Sequence, residues 1–159
     1  MLFFLLGVKA QSGDRDFDVR FGLGLSNMKT DNALILMSEY ELNFKFTDYV
    51  IFGPSVVLGY HSKKSHADLP NFYQLNLNAF VSPFRNNRKN EFRIGAGLNG
   101  YMIDEWSNYE TRRAIGFNLI LEDRYMINER FFVGAKLFAQ PYLNGNWNSG
   151  FFLKFGVNL

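Results

Sequence analysis

The amino-acid sequence predicts an all-β fold: an eight-stranded antiparallel up-and-down transmembrane β-barrel. Three observations lead there. Apolar and polar residues alternate with period two along almost the whole chain, the mark of strands with two unlike faces. The polar face is rich in glycine and amide side chains, which suits a crowded interior better than open water. Aromatic residues gather near strand ends, and the connections are expected to alternate between short and long, as in barrels that cross a membrane.

Each strand can be read in turn. "DFDVRFGLGLS" sets Phe17, Val19, Phe21, Leu23 and Leu25 against Asp16, Asp18, Arg20, Gly22 and Gly24. "SEYELNFKF" opposes Tyr40, Leu42, Phe44 and Phe46 to Glu39, Glu41, Asn43 and Lys45. "IFGPSVVLGYH" follows a short turn and opposes Phe52, Val56, Leu58 and Tyr60 to Gly53, Ser55, Gly59 and His61. "FYQLNLNAFV" puts Tyr73, Leu75, Leu77, Ala79 and Val81 opposite Gln74, Asn76 and Asn78.

After a turn-rich "SPFRNNRKN", the segment "FRIGAGLNGYM" sets Phe92, Ile94, Ala96 and Leu98 against Arg93, Gly95, Gly97, Asn99 and Tyr101. In "AIGFNLILEDRY", Ile115, Phe117, Leu119 and Leu121 oppose Gly116, Asn118, Glu122 and Arg124, with Ile120 breaking the polar face. A tight "INER" leads to Val133, Ala135, Leu137 and Ala139 against Gly134, Lys136 and Gln140, although Phe132 and Phe138 also fall on the polar side. The chain stops on "SGFFLKFGVNL", where Phe151, Leu153, Phe155, Val157 and Leu159 alternate with smaller or polar residues. Such a terminal strand is an aggregation-prone edge unless another strand pairs with it.

Bulk composition narrows the class. With 159 residues there is room for one domain, and no apolar run reaches the roughly 18 residues of a membrane-spanning helix. A formal charge of +2 without blocks of like charge argues against a nucleic-acid partner. The absence of cysteine excludes disulfides and thiolate metal sites. The first residues, "MLFFLLGVKAQSG", resemble the apolar core and cleavage region of a signal peptide without its basic start. Residues 1–10 are therefore expected to be part of a leader whose true start lies upstream, and residues 15–159 the barrel domain.

Alternation alone also fits a soluble sandwich or lipocalin-like binding barrel, whose large apolar residues would point inward. The small, amide-rich polar face favours the inverse arrangement, apolar residues on lipid and polar ones in the lumen. The aromatic positions agree: Phe17, Phe46, Tyr49, Phe52, Phe92, Tyr125 and Phe131 flank the short turns. Tyr60, Tyr73, Tyr101, Trp106, Tyr142 and Trp147 flank the links near 62–70, 103–112 and 141–149, which are expected to be the longer ones. The interface aromatics of the loop side are accordingly taken as Tyr60, Tyr73, Trp106, Tyr142 and Trp147.

Taken together, the chain resembles the small bacterial outer-membrane β-barrels, the eight-stranded OmpA/OmpX/OmpW-like class, over roughly residues 15–159. The resemblance rests on pattern rather than on a unique motif. It implies an outer-membrane location with both termini periplasmic, and contact with outer-membrane lipid and lipopolysaccharide. It also implies that the last strand, through Phe151, Phe155, Val157 and Leu159, serves as the signal read by the barrel-assembly machinery; the terminal leucine departs from the commoner phenylalanine.

The expected lumen contains Asp16, Asp18, Arg20, Glu39, Glu41, Lys45, Arg93, Glu122, Arg124, Lys136 and Lys154, with signs nearly balanced. Buried charges persist when paired, so interlocking ion pairs across neighbouring strands are expected. They would form either a polar plug that holds register or a charged pathway for a small solute; a narrow eight-stranded cylinder favours the plug. His61, His66 and Asp68 share one loop with Ser62 and Ser65, but Lys63 and Lys64 intervene and the spacing matches neither a metal site nor a hydrolytic triad. No cofactor, metal or catalytic residue is assigned. The expected role is non-catalytic: a structural or interaction protein, including an accessory subunit beside other envelope proteins. The alternatives are a narrow channel or binding site for small hydrophobic ligands, a lipid-modifying barrel enzyme, and the soluble binding barrel.

Overall fold

The computed structural model describes residues 17–29, 33–47, 49–61, 70–83, 89–105 and 110–159. The leader expected over 1–10, together with Asp16, His66, Asp68 and Trp106, lies outside them. The described elements are β1 (Phe17–Met28), β2 (Ala33–Lys45), β3 (Val50–His61), β4 (Phe72–Val81), β5 (Asn90–Glu105), β6 (Glu110–Met126), β7 (Phe131–Pro141) and β8 (Trp147–Asn158). Each pairs with its sequence neighbours in antiparallel fashion, and β8 pairs with β1 to close the cylinder. The strand at the chain's end therefore has no free edge: Asp18 faces Asn158 in register, and the Leu159 N–H donates to the Phe17 carbonyl at 2.9 Å.

Register fixes the geometry. A walk perpendicular to the strands starts at Asp123 and passes through Ala135, Leu153, Leu23, Ser38, Leu58, Tyr73 and Met102. It returns to β6 at Arg113, ten residues from where it began. With strands about 4.8 Å apart and about 3.3 Å per residue, that stagger tilts the strands by about 40°, inside the usual range for a closed barrel. Each residue then climbs about 2.5 Å along the axis, and each perpendicular step about 3 Å.

Residues 46–47, 49, 82–83, 89 and 127–130, with Phe17 and Leu159, lie at one end of the cylinder, here the turn end. Thr47 Oγ1 accepts the N–H groups of Tyr49 and Val50 at 3.3 and 3.0 Å, and Asn128 Oδ1 does the same for Arg130 and Phe131, both at 2.8 Å. Short polar side chains that complete a turn's backbone hydrogen bonds are what tight connections select. At the opposite, loop end, Gly145 takes a φ of 79°, a conformation that costs other residues strain.

Two expectations about the connections need correction. The β5–β6 ladder continues to Asp104↔Thr111 and Glu105↔Glu110, through what was read as a long polar link near 103–112. The link near 141–149 is a tight reversal over 142–146. A hairpin whose backbone is already paired needs no apolar alternation to persist, so the periodicity ended before the strands did.

Candidate functional site

The lumen and the outer wall are the two surfaces that chemistry can use, and alternation assigns every residue to one of them. Outward lie the greasy groups: Leu75 is 66% and Leu153 55% accessible on the wall. Inward lie the ions: Arg20 keeps 2% of its surface and Glu41 1%. This inverts the plan of a soluble barrel.

Charges fill the turn-end half of the lumen. Arg20 faces Glu41 in register, Arg93 faces Glu122, Glu122 faces Lys136, and Glu91 faces Arg124. Lys136 Nζ donates to Glu39 Oε1 and to Glu41 Oε2, both at 2.8 Å. Lys154 Nζ reaches Glu39 at 2.7 Å and Glu41 at 2.9 Å, so two ammoniums and two carboxylates form a square. Arg20 joins it through Glu41 at 3.4 Å, holds Asp18 at 2.5 Å and pairs with Glu122. Arg93 reaches Glu91 at 2.9 Å and Glu122 at 3.7 Å, and Arg124 pairs with Glu91 and, at 3.4 Å, with Asp18. Phe132 lies under the guanidiniums of Arg20 and Arg124, 5.1 and 5.2 Å from its ring centre.

The structure thus brings Asp18, Arg20, Glu39, Glu41, Arg93, Glu122, Arg124, Lys136 and Lys154 into one network. Lys45 is half-buried at the turn-end mouth, and Asp16 lies outside the described residues. Glu91 belongs to the network but was missed from the sequence. It stands two residues before Arg93, on the same face, between the turn-rich stretch 82–90 and the strand read from Phe92. With it, the carboxylates of the network (Asp18, Glu39, Glu41, Glu91, Glu122) equal its cations (Arg20, Arg93, Arg124, Lys136, Lys154) in number.

Above the charges the lumen changes character. Phe138, Phe152 and Ile120 are buried across its middle. Next comes an amide layer: Gln74 donates to Asn76 at 2.5 Å, Gln140 to Asn118 at 3.3 Å, and Asn148 to Gln140 at 3.2 Å. Met28, Ile35, Phe72 and Ile103 are fully buried at the loop end. Their inward-facing apolar side chains were not foreseen.

Tyr142 is a correction. It was expected at the membrane interface, but it is 5% accessible and turns inward, its hydroxyl donating to Gln140 at 2.9 Å with the Gln74 amide oxygen also near at 3.3 Å. Tyr101 is likewise buried, accepting from Asn144 and Asn146 at 3.2 and 3.1 Å. A phenol with amide partners on hand gains more inside a polar lumen than at an interface. Tyr60, Tyr73 and Trp147 do face outward, and the Tyr73 hydroxyl donates to the Pro70 carbonyl at 2.7 Å.

Register places these aromatics by height. Tyr60, Tyr73 and Trp147 fall within about 3 Å of one level, Phe17, Phe46, Tyr125 and Phe131 within about 3 Å of another, and the two levels are about 25 Å apart. That matches the apolar band of an outer-membrane barrel. On β8, Phe151, Phe155 and Leu159 are exposed on the wall and Val157 is half-buried there.

Solved structures carry the same fold. The chain is similar to Neisserial surface protein A (12% identity, TM-score 0.70, covering 91% of this chain and 97% of that one). It is similar to the N-terminal β-barrel domain of Pseudomonas aeruginosa OprF (18%, TM-score 0.60, 87% and 96%). It is also similar to Ail, the attachment invasion locus protein of Yersinia pestis (14%, TM-score 0.54, 89% and 96%). No protein-family model matches the chain, and no curated protein does. The fold is that of the small eight-stranded outer-membrane barrels.

Proposed function

We propose that the chain is a non-catalytic outer-membrane protein, a sealed scaffold with periplasmic termini that presents its loop end to other envelope components. The observation that carries this reading is the lumen: equal numbers of opposite charges, interlocked and buried, beneath an apolar layer. Removing ions from water costs several kcal/mol each unless every one is paired, and a plug that meets that condition leaves no hydrated path. Arg113 supports a lipopolysaccharide contact: it faces outward beside Met102, about one residue pair beyond the loop-side aromatics, at the level of lipid phosphates. The outward aromatics of β8 support its reading by the assembly machinery.

The test is electrical. Reconstituted into planar bilayers, the folded barrel should give no unitary current steps at moderate voltage; regular steps would replace the plug with a pathway. Purification from native membranes should bring down a second envelope protein in fixed ratio. A barrel that elutes alone would leave the scaffold reading without its accessory-subunit part.

A further inference from the structure

The outer wall is not smooth. Across β7, β8 and β1 near the turn end runs a groove of about 630 Å³. Its origin is a size mismatch between neighbours. Val157 lies in register between Phe131 and Val19, and Phe155 lies between Val133 and Phe21. Three valines set among three phenylalanines leave a furrow, because valine stops short of where a phenyl ring reaches. The Phe21 and Tyr40 rings, 5.3 Å apart, close its upper end. By register it spans from the level of Ile127 to that of Phe21, within the turn-side half of the apolar band.

At its lower mouth the chemistry changes. Asn128 lines the groove there. Its Oδ1 is engaged by two backbone N–H groups, so its amide has only donors left to offer. Arg130, exposed two residues further along the same turn, adds a guanidinium, with the exposed carboxylate of Glu129 between it and Asn128. An apolar furrow inside the hydrocarbon, ending in donors and a cation at the interface, is complementary to one class of molecule: an acyl chain joined to a phosphodiester. The volume is within the roughly 300–1,000 Å³ range of sites that hold small ligands.

We infer that this groove is a binding site for one anionic glycerophospholipid of the turn-side leaflet, an acyl chain along Val19, Val133 and Val157 and the phosphate on Asn128 and Arg130. The inference rests on the membrane orientation given under Proposed function. A second copy of the chain fits the mouth less well, since twofold symmetry about the membrane normal would set Arg130 against Arg130.

Native mass spectrometry of the folded, detergent-purified barrel with palmitoyl-oleoyl phosphatidylglycerol tests it. The wild type should bind one lipid at low lipid excess, and soluble glycerol phosphate should give no adduct. Val133→Trp, which fills the furrow, should abolish the adduct. Arg130→Gln, in an exposed turn where folding is not at stake, should weaken it about tenfold, the worth of one charge-assisted hydrogen bond. Folding of each variant is read from circular dichroism and heat-modifiable gel mobility. Absence of the adduct, its persistence in both variants, binding of glycerol phosphate alone, or a dimer mass in its place would each overturn the site. A barrel that stays dispersed without detergent would instead sink the orientation itself, so the two failures are distinguishable.

Discussion

At the scale of single residues, Glu41 is the hinge of the lumen. It accepts from Lys136, from Lys154 and, at 2.7 Å, from Asn43, and it lies 3.4 Å from Arg20. Glu41→Gln keeps the shape and removes the charge, leaving two buried ammoniums to share Glu39. Loss of one partner from a buried set costs about 3–5 kcal/mol, most of it the desolvation of the ions left behind. Lys154→Met alone should cost a similar amount. The double variant removes a matched pair, so it should be less destabilised than the sum of the two by about 0.5–3 kcal/mol. Urea unfolding in lipid vesicles reads all three. Strict additivity would mean that the square of charges is four independent side chains rather than one network.

At the scale of elements, paired strands are locked by aromatic rings lying against glycines on the inner wall. A Cβ at Gly156 would run into the Phe132 ring, the same ring that supports Arg20 and Arg124. Gly156→Ala should therefore lower stability by about 1–3 kcal/mol, the usual cost of overpacking. Phe132→Leu, which vacates the space, should recover part of that loss in the double variant; a double variant worse than the sum would show that the ring is not what Gly156 accommodates. This packing also shows what was legible in the sequence. The strands and their lipid faces could be read because lipid accepts almost any large apolar group, so period two survives undisturbed on that side. The inner face is governed by who stands opposite. Phe132, Phe138 and Ile120 looked like errors in alternation, yet they fill space left by neighbours that only the register brings near. Tyr142 was misplaced for the same reason: Gln140 stands two residues before it, but Gln74 comes from β4, and only the register brings that second amide to the hydroxyl. Proline marks a third case. β3 pairs with β2 on either side of Pro54 but not at it, because proline has no N–H to donate.

At the scale of the whole molecule, everything turns on an apolar belt about 25 Å tall that soluble monomers do not display, since exposed patches beyond a few hundred Å² mark contact with something greasy. The belt has one conspicuous exception. Asp123 faces outward between Phe92 and Ala135, about 5 Å inside the level of Tyr125. A carboxylate there is close enough to the interface to reach water, which is why the fold tolerates it. Depth should therefore govern the cost of charge on this wall. Leu77, 54% accessible and close to mid-belt by register, is the place where a cation is dearest: Leu77→Arg should cost about 2–4 kcal/mol in vesicles. Tyr125→Arg, at the turn-side aromatic level, should lose no more than about 1 kcal/mol through its charge, and Asp123→Leu should be neutral or stabilising. Equilibrium unfolding in lipid vesicles measures the three on one scale. In a barrel whose wall faced water the order would reverse, with Leu77→Arg harmless and Asp123→Leu promoting aggregation, so this gradient separates a membrane wall from a wet one.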